Sequence, residues 1–165
     1  MARPRTIPDQ TIFAAILRQI EEGGDRAVAF STVAAATGLS APSLVQRYGG
    51  LPEMIHAALA GAWDQIEGQT SQAIASVTDA EKGPQALFKA LSPGPSAALL
   101  AASLRDPALR DVAARWRQRV EAALARLCGD AERGAMLFAL WSGQSLWDGA
   151  GDKGFKLKDG LKRLS

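Results

Sequence analysis

The chain has 165 residues, 47% of them hydrophobic and 22% charged, and a formal net charge of +2. This composition is that of an ordinary globular protein with a substantial core, and the net charge alone neither requires nor excludes a nucleic-acid partner. No run reaches the ~18 apolar residues of a membrane span. No apolar segment follows the N-terminal arginines, as one would in a secretory signal. The single cysteine, Cys128, excludes an internal disulfide and favours a cytoplasmic protein.

The N-terminal segment is predicted to be a flexible arm, residues 1–7, followed by a helix. The arm carries Arg3 and Arg5. Pro8-Asp9 suits a helix start, because proline fits the first turn and the helix dipole favours an acid there. Apolar residues then repeat at helical spacing over residues 12–20, and Gly23-Gly24 ends the pattern.

Residues 31–50, STVAAATGLSAPSLVQRYGG, predict two short helices separated by a turn. Ser31 is expected to cap the first helix, and Gly38 supplies the positive φ that often follows a helix end. Ser40 is expected to cap the second helix, with Pro42 in its first turn. Two capped helices around a short glycine-containing turn form the helix-turn-helix pattern of DNA-binding proteins. The alternative is an ordinary helical corner with a solvated polar face.

The second of these helices has two different faces. One is expected to pack against a core, because its residues follow the spacing i, i+3, i+4, i+7; it comprises Ala41, Leu44, Val45 and Tyr48. The other face carries side chains that can read base edges or hold phosphates; it comprises Ser43, Gln46 and Arg47. Gln46 and Arg47 are the main candidates for DNA contacts.

Beyond residue 50 the sequence predicts further helices and no strand. Gly50 is expected to cap a long helix with Glu53 at its third position. Apolar residues sustain the helical period as far as Val77, which predicts either the longest helix of the chain or one broken near Gly68. Two shorter helices and another that begins at Pro107 are expected to follow. The predicted fold class is therefore all-α, with an N-terminal three-helix head joined by a long helix to a helical body.

Residues 136–141 are apolar around the whole circumference of a predicted helix. Such a helix must be covered on all sides, and in a body this small a partner subunit is expected to supply the second side. The residues predicted to form this dimer interface are Leu137, Phe138, Leu140 and Trp141. After a loop at 149–154, the last segment places Leu157, Leu161 and Leu164 at rough helical spacing.

The order of these features resembles the TetR family of transcriptional regulators. The resemblance covers the first third of the chain, whereas beyond it only the length and the helical character agree. The matching residues lie between Ile12 and Ile55, and they include Val33-Ala34, Gly38-Leu39-Ser40, Leu44, Tyr48 and Glu53-Met54-Ile55. Two positions depart from the family pattern, since Val45 stands where a tyrosine is common and Leu51 where a lysine is common.

Both departures remove side chains that typically contact DNA phosphates in the family. Arg47 is a candidate to restore one of these contacts. Because phosphate contacts dominate affinity and its salt dependence, weak or strongly salt-sensitive binding is expected. The departures also motivate an alternative reading of the chain, a helical small-molecule-binding or protein-interaction domain with a weakened DNA-binding head.

The resemblance implies a homodimer that binds a palindromic DNA operator through residues 1–50 and an unknown small-molecule effector through residues 51–165. Effector binding would change the spacing of the two heads and release DNA, as in a repressor. The residues expected at the DNA surface are Arg3, Arg5, Thr32, Ser40, Ala41, Ser43, Gln46, Arg47 and Tyr48. For some of them a structural role is the alternative: a solvated tail for Arg3 and Arg5, a capping turn for Thr32 and core packing for Tyr48.

The candidates for an effector pocket are the large apolar groups of the body and a few polar ones. They are His56, Trp63, Asp64, Phe88, Leu104, Trp116, Gln144 and Trp147. Ordinary core packing is the alternative for each of the apolar residues.

No catalytic residue, metal ligand or cofactor is expected. Cys128 and His56 are the only thiol and imidazole, and nothing in the sequence brings them together as a nucleophile and its base. No Cys/His cluster of the zinc type and no glycine-rich phosphate loop is present. Cys128 is most simply a small buried hydrophobic residue.

Overall fold

The computed structural model describes residues 7–77, 83–147, 151 and 159. Within these residues the regular structure consists of eight α-helices and one short 3-10 turn, without a strand, so the all-α prediction is confirmed. The helices are α1 (Asp9–Gly23), α2 (Phe30–Thr37), α3 (Ala41–Tyr48), α4 (Leu51–Ser76), α5 (Gly83–Leu91), α6 (Ala97–Ser103), α7 (Pro107–Cys128) and α8 (Ala131–Trp147), with the 3-10 turn at Asp25–Ala27. The predicted contacts of Arg3 and Arg5 and the helical spacing of Leu157, Leu161 and Leu164 lie outside the described residues.

The chain divides into two compact units. Unit 1 contains Met1–Asp64 and Ala98–Arg110, and unit 2 contains Gln65–Ala97 and Asp111–Ser165. The 26-residue helix α4 contributes to both, and it is the longest helix of the part described. It continues through Gly68, so of the two alternatives that the sequence left open the single long helix is the one observed. This division by packing differs from the functional division at residue 50, which stays a prediction.

The core of unit 1 is formed by the apolar stripes of α1 to α4. Ile12, Ile16 and Ile20 of α1 are at most 2% exposed, and Leu44 of α3 and Met54 of α4 are completely buried. The spacing of the three isoleucines places them on one side of α1, and the other sides of the helix are mainly polar. Because only this side is apolar, α1 packs against the core in one orientation. These contacts fix α3, the second helix of the predicted helix-turn-helix, against the rest of unit 1.

The start of α2 differs from the prediction that Ser31 caps it. The helix begins at Phe30, and the preceding residue, Ala29, has the extended backbone of a cap position (φ −141°, ψ 156°). The Thr32 hydroxyl accepts a hydrogen bond from the Ala29 N–H at 3.0 Å and lies 2.7 Å from Gln19 Oε1, to which it donates. Thr32 therefore organises this helix start and ties it to α1, a structural role that the sequence left open.

Unit 2 is built around a cluster of aromatic side chains. The rings of Phe88 and Trp141 are stacked with centroids 5.4 Å apart, and Phe138 meets Trp116 edge to face at 5.8 Å. The Trp116 indole N–H donates a hydrogen bond to the hydroxyl of Thr70, which is 1% exposed, at 2.8 Å. Because every polar group of this cluster has its partner, it forms a fully satisfied core.

Helix α8 packs on α7 through a glycine. A Cβ atom on Gly134 would lie 2.7 Å from the Ala125 backbone nitrogen and 3.0 Å from the Glu121 carbonyl oxygen. Only glycine permits such a close approach of the two backbones. Gly134 thus fixes one face of α8 toward its own unit, and Leu137, Phe138 and Trp141 follow on that face.

Candidate nucleic-acid interface

The turn between α2 and α3 has the capped geometry that the sequence predicted. Gly38 has a left-handed backbone (φ 74°, ψ 10°), and its N–H donates a hydrogen bond to the Ala34 carbonyl. The Ser40 side-chain oxygen accepts from the Ser43 N–H at 3.3 Å, and Pro42 lies in the first turn of α3. Since the end of α2 and the start of α3 are satisfied within the motif, the turn itself defines how α3 follows α2.

The exposed residues of α3 are three polar ones, Ser43, Gln46 and Arg47, and two apolar ones, Pro42 and Val45. Ser43 and Gln46 are exposed, as predicted. Val45 is 43% exposed, so the prediction that it faces the core is wrong. An eight-residue helix buries only a narrow stripe, and here that stripe reduces to Leu44 with Ala41 and Tyr48 half-buried at its sides.

The other residues expected at the DNA surface lie near this face. Thr32 and Ser40 are exposed, and both hydroxyls already make hydrogen bonds inside the motif. Ser40 and Ser43 bond each other through their hydroxyls at 2.7 Å. A phosphate oxygen needs a hydrogen-bond donor, and each hydroxyl has one proton to give. The Thr32 proton is donated to Gln19, whereas of the two hydroxyls in the Ser40–Ser43 pair one still has a proton for a phosphate oxygen.

Arg47 and Tyr48, at the end of α3, are bound to the start of α1. Arg47 Nη2 lies 2.9 Å from the Asp9 carboxylate, and its Nη1 donates a hydrogen bond to the Ile7 carbonyl at 2.8 Å. The Tyr48 hydroxyl donates to the same Asp9 oxygen. The sequence predicted Arg47 as an outward DNA contact, whereas its guanidinium is committed to a partner on α1.

The environment of Tyr48 alters its proton affinity. Burial raises the pKa of the phenol to about 12, and the hydrogen bond to Asp9 and the negative charge of that carboxylate act in the same direction. The Arg47 guanidinium, 5.8 Å from the centre of the Tyr48 ring, opposes this effect. Tyr48 therefore stays protonated and keeps its bond to Asp9 at any physiological pH.

The residues proposed for an effector pocket do not assemble into one site in the structure. Trp63, Phe88 and Trp116 are at most 3% exposed and are packed in the cores of the two units, with the Trp63 indole donating to Ser103 at 2.9 Å. Leu104 and Trp147 are 55% and 66% exposed, because one follows the last turn of α6 and the other ends α8. Gln144 is half-buried on α8 and Asp64 is exposed on α4.

His56 lies at a cavity of about 510 Å³ in unit 1. Its lining includes apolar residues and two polar pairs, a hydrogen bond between His56 Nδ1 and Asp106 and an ion pair between Arg105 and Asp25, each at 2.5 Å. The hydrogen bond from Arg105 lowers the pKa of Asp25, and the bond with His56 lowers the pKa of Asp106. The lining residues are Asp25, Arg26, Leu51, Pro52, Ile55, His56, Leu59, Ala102, Arg105, Asp106 and Pro107.

The predicted dimer interface on α8 requires a correction. Leu137, Phe138 and Trp141 are at most 8% exposed because they pack in the core of their own unit, so three of the four predicted residues are not available to a partner. Leu140 is half-buried. The apolar residues that α8 leaves exposed are Ala131, Met136, Ala139, Leu146 and Trp147.

No group of three or more potential metal-ligating side chains occurs in the described part of the chain. Burial raises the pKa of the Cys128 thiol, which disfavours the thiolate that a nucleophile requires. None of the helices in residues 7–77 and 83–147 has the length and apolarity needed to cross a membrane.

The anchoring role of Asp9 was missed by sequence reasoning. Asp9 was interpreted only as a favourable charge at a helix start, and its two partners lie about forty positions away, Tyr48 by 39 and Arg47 by 38. The pairs Arg105–Asp25 and His56–Asp106 were missed for the same reason. Local periodicity carries no signal for contacts of this sequence separation.

The geometry defines the class of the protein as an all-helical protein with an N-terminal helix-turn-helix. Neither a protein-family model nor a curated protein sequence matches the chain. Among solved structures, SCO7518 from Streptomyces coelicolor A3(2), which is described as a transcriptional regulator, is 21% identical to this chain with a TM-score of 0.69. The match covers 94% of this chain and 96% of that one. The multidrug binding protein EbrR, complexed with malachite green, is 26% identical to this chain with a TM-score of 0.67. The match covers 96% of this chain and 98% of EbrR.

A third similar structure bears the name of the family. A TetR transcriptional regulator from Legionella pneumophila is 17% identical to this chain, with a TM-score of 0.68. The match covers 98% of this chain and 97% of that one. The similarity thus extends over nearly the whole chain, beyond the first third that the motif covered. The protein has a TetR-like fold, and the resemblance drawn from residues 12–55 is confirmed.

Proposed function

We propose that this chain is a DNA-binding transcriptional regulator, and that α3 enters the major groove of duplex DNA. The observation that carries the proposal is the capped helix-turn-helix, in which the buried Leu44 and the satisfied turn leave Ser43 and Gln46 on the outer face. The amide of Gln46 is a side chain that pairs with adenine edges, and the Ser40–Ser43 pair keeps one hydroxyl proton for a phosphate oxygen. Ala41, at the side of the same helix, suits an apolar contact with a thymine methyl group.

The proposal includes a homodimer on a palindromic operator. The support is the apolar surface that α8 exposes around Met136, Leu146 and Trp147, because exposed apolar groups at helical spacing mark a protein interface more often than a free surface. Two heads related by a two-fold axis match half-sites about one helical turn (~34 Å) or a multiple apart. Occupancy of such an operator in the cytoplasm would block transcription, which makes the chain a repressor.

A small-molecule effector is the third part of the proposal. EbrR, one of the similar structures, is described as a multidrug binding protein complexed with malachite green. In this chain the cavity at His56 has a volume in the range of small-molecule sites, with apolar residues and a few polar groups in its lining. We assign the effector to this cavity, whose walls include the start of α4 directly after the helix-turn-helix.

The experiment compares two exposed glutamines. Gln46→Ala removes the proposed base contact on α3, and Gln72→Ala makes the same change on α4 outside the head. Operator affinity, measured by fluorescence anisotropy with the DNA upstream of the gene, is expected to fall about tenfold for Gln46→Ala, because a good base contact contributes ~1–3 kcal/mol of discrimination. Gln72→Ala is expected to bind like the unaltered chain.

Equal operator affinity for the two variants would remove Gln46 from the interface. If the unaltered chain binds no duplex at low salt, with or without candidate ligands, the chain is instead a helical small-molecule-binding or protein-interaction domain. The exposed Val45 on α3 and the commitment of Arg47 to Asp9 are the observations that favour this second candidate.

A further inference from the structure

The start of α1 holds the end of α3 through a single carboxylate. One oxygen of Asp9 receives both the Arg47 guanidinium, at 2.9 Å, and the Tyr48 hydroxyl. Asp9 stands in the first turn of α1, where the helix dipole favours its negative charge. The carboxylate therefore lies at a favourable position to bind both of its partners.

The contacts of Arg47 turn its guanidinium toward α1. Besides Asp9, the guanidinium donates to the Ile7 carbonyl at 2.8 Å and lies 5.8 Å from the centre of the Tyr48 ring. The side chain of Arg47 is 31% exposed, although it stands on a helix whose neighbouring polar positions, Ser43 and Gln46, point to solvent. The only cation of α3 is thus neutralised within the protein.

We propose that Asp9 is a positioning residue that withholds Arg47 from the DNA backbone and so keeps the affinity of the head for non-specific DNA low. The inference rests on the proposed DNA binding by α3. An arginine on the groove-facing helix would otherwise contact a DNA phosphate. Such a contact is independent of sequence, so it raises the affinity for every competing site equally. With Arg47 paired to Asp9, a larger share of the binding rests on Gln46 and its neighbours, whose contacts depend on sequence.

The size of the effect follows from the exposure of the pair. Asp9 and Arg47 are 51% and 31% exposed, and ion pairs of this kind are weak, so release of Arg47 is expected to raise affinity about twofold to fivefold per head. The salt dependence is the sharper measure. Each phosphate contact adds ~0.9 to the slope of log affinity against log salt concentration, independent of how strong the contact is.

The test measures binding of the full chain to a duplex of unrelated sequence over a salt series. Asp9→Asn is expected to steepen the slope by ~0.9 per head, because the neutral amide no longer neutralises Arg47. The matched control is Glu22→Gln, which changes the net charge equally but lies about 20 Å along α1 from Asp9. Its slope is expected to change much less.

A double variant separates the proposed mechanism from a general charge effect. In an Arg47→Gln background, Asp9→Asn is expected to leave the slope unchanged, because its effect acts only through Arg47. If Asp9→Asn steepens the slope as much in that background as in the unaltered chain, the effect is one of net charge and the proposal is wrong. An unchanged or shallower slope for Asp9→Asn alone also overturns it.

Circular dichroism accompanies each variant to establish that it is folded. Should Asp9→Asn destabilise the head, Asp9→Ser serves as the second neutral variant with the same expected slope. Two outcomes separate this proposal from the proposed function. If the unaltered chain binds no duplex at low salt, DNA binding itself is excluded. If it binds duplex but the salt dependence of its affinity is the same with and without Asp9, only the withholding of Arg47 is excluded.

Discussion

Helices α3 and α8 both present side chains on two opposite faces, yet only the faces of α3 were distinguishable from the sequence. In α3 the buried Leu44 and the exposed Gln46 differ in chemistry, so polarity separates them. In α8 the buried Phe138 and the exposed Leu146 are equally apolar. Polarity separates the core side of a helix from its functional side only when the partner on the functional side is polar.

In α8, tertiary contacts and not the polarity of the residues determine which face is buried. The close approach at Gly134 and the aromatic contacts of Trp141 determine which face turns inward, and both are tertiary features. The sequence predicted that α8 needs cover on all sides, and cover of its exposed residues by a partner stays a prediction. It assigned the wrong three residues to the partner, because an apolar helix has no internal marker of its inward face.

The largest expected effect tests the inward face of α8. Trp141→Ala should lower the free energy of unfolding by about 3–5 kcal/mol, because it removes a side chain that is 4% exposed and contacts three other aromatic rings. Denaturant unfolding at fixed protein concentration measures it. The control, Leu104→Ala at a site that is 55% exposed, should remain within ~0.5 kcal/mol. Similar losses for both variants would contradict the assignment of the inward face.

The second effect tests the outward face of the same helix. Leu146→Asp places a charge at a position that is 60% exposed and should convert the proposed dimer into a folded monomer, since burying an unpaired charge at an interface is costly. Sedimentation equilibrium measures the oligomeric state. Leu104→Asp is the matched control, an equally exposed leucine in unit 1. A Leu146→Asp variant that stays dimeric would exclude this face as the interface.

The smallest effect concerns the anchored end of α3. Tyr48 is the only tyrosine, so ultraviolet absorbance follows its titration directly, and its pKa is expected at about 12. Because the pKa is raised above its ordinary value near 10, the stabilisation of the head should be complete below pH ~10 and disappear as pH rises toward about 12. Asp9→Asn should lower the Tyr48 pKa. An ordinary pKa in the unaltered chain would show that the contact with Asp9 does not persist in solution.

Much of the head was predictable because its signals are local. The serine cap, the glycine at the end of α2 and the proline at the start of α3 each act within a few residues, and all three appear in the structure as expected. The shift of the α2 start to Phe30 arose because the Thr32 hydroxyl, rather than Ser31, organises that turn.

The electrostatic setting of the site was not predictable in the same way. Arg47 forms its ion pair with Asp9, which belongs to another helix and carries no motif of its own. The cavity at His56 likewise combines residues from α4, the 3-10 turn and the α6–α7 connection. Such sites are products of tertiary packing, so residue type and spacing alone do not reveal them.

The most direct test of DNA recognition by α3 is a footprint of the unaltered, full-length chain on the DNA upstream of its gene. If α3 recognises DNA, we expect protection of an inverted repeat whose half-sites lie about one helical turn (~34 Å) or a multiple apart. Gln46→Ala is expected to lose that protection. Absence of any protected site at low salt, for a chain shown to be folded and dimeric, would contradict DNA recognition by α3.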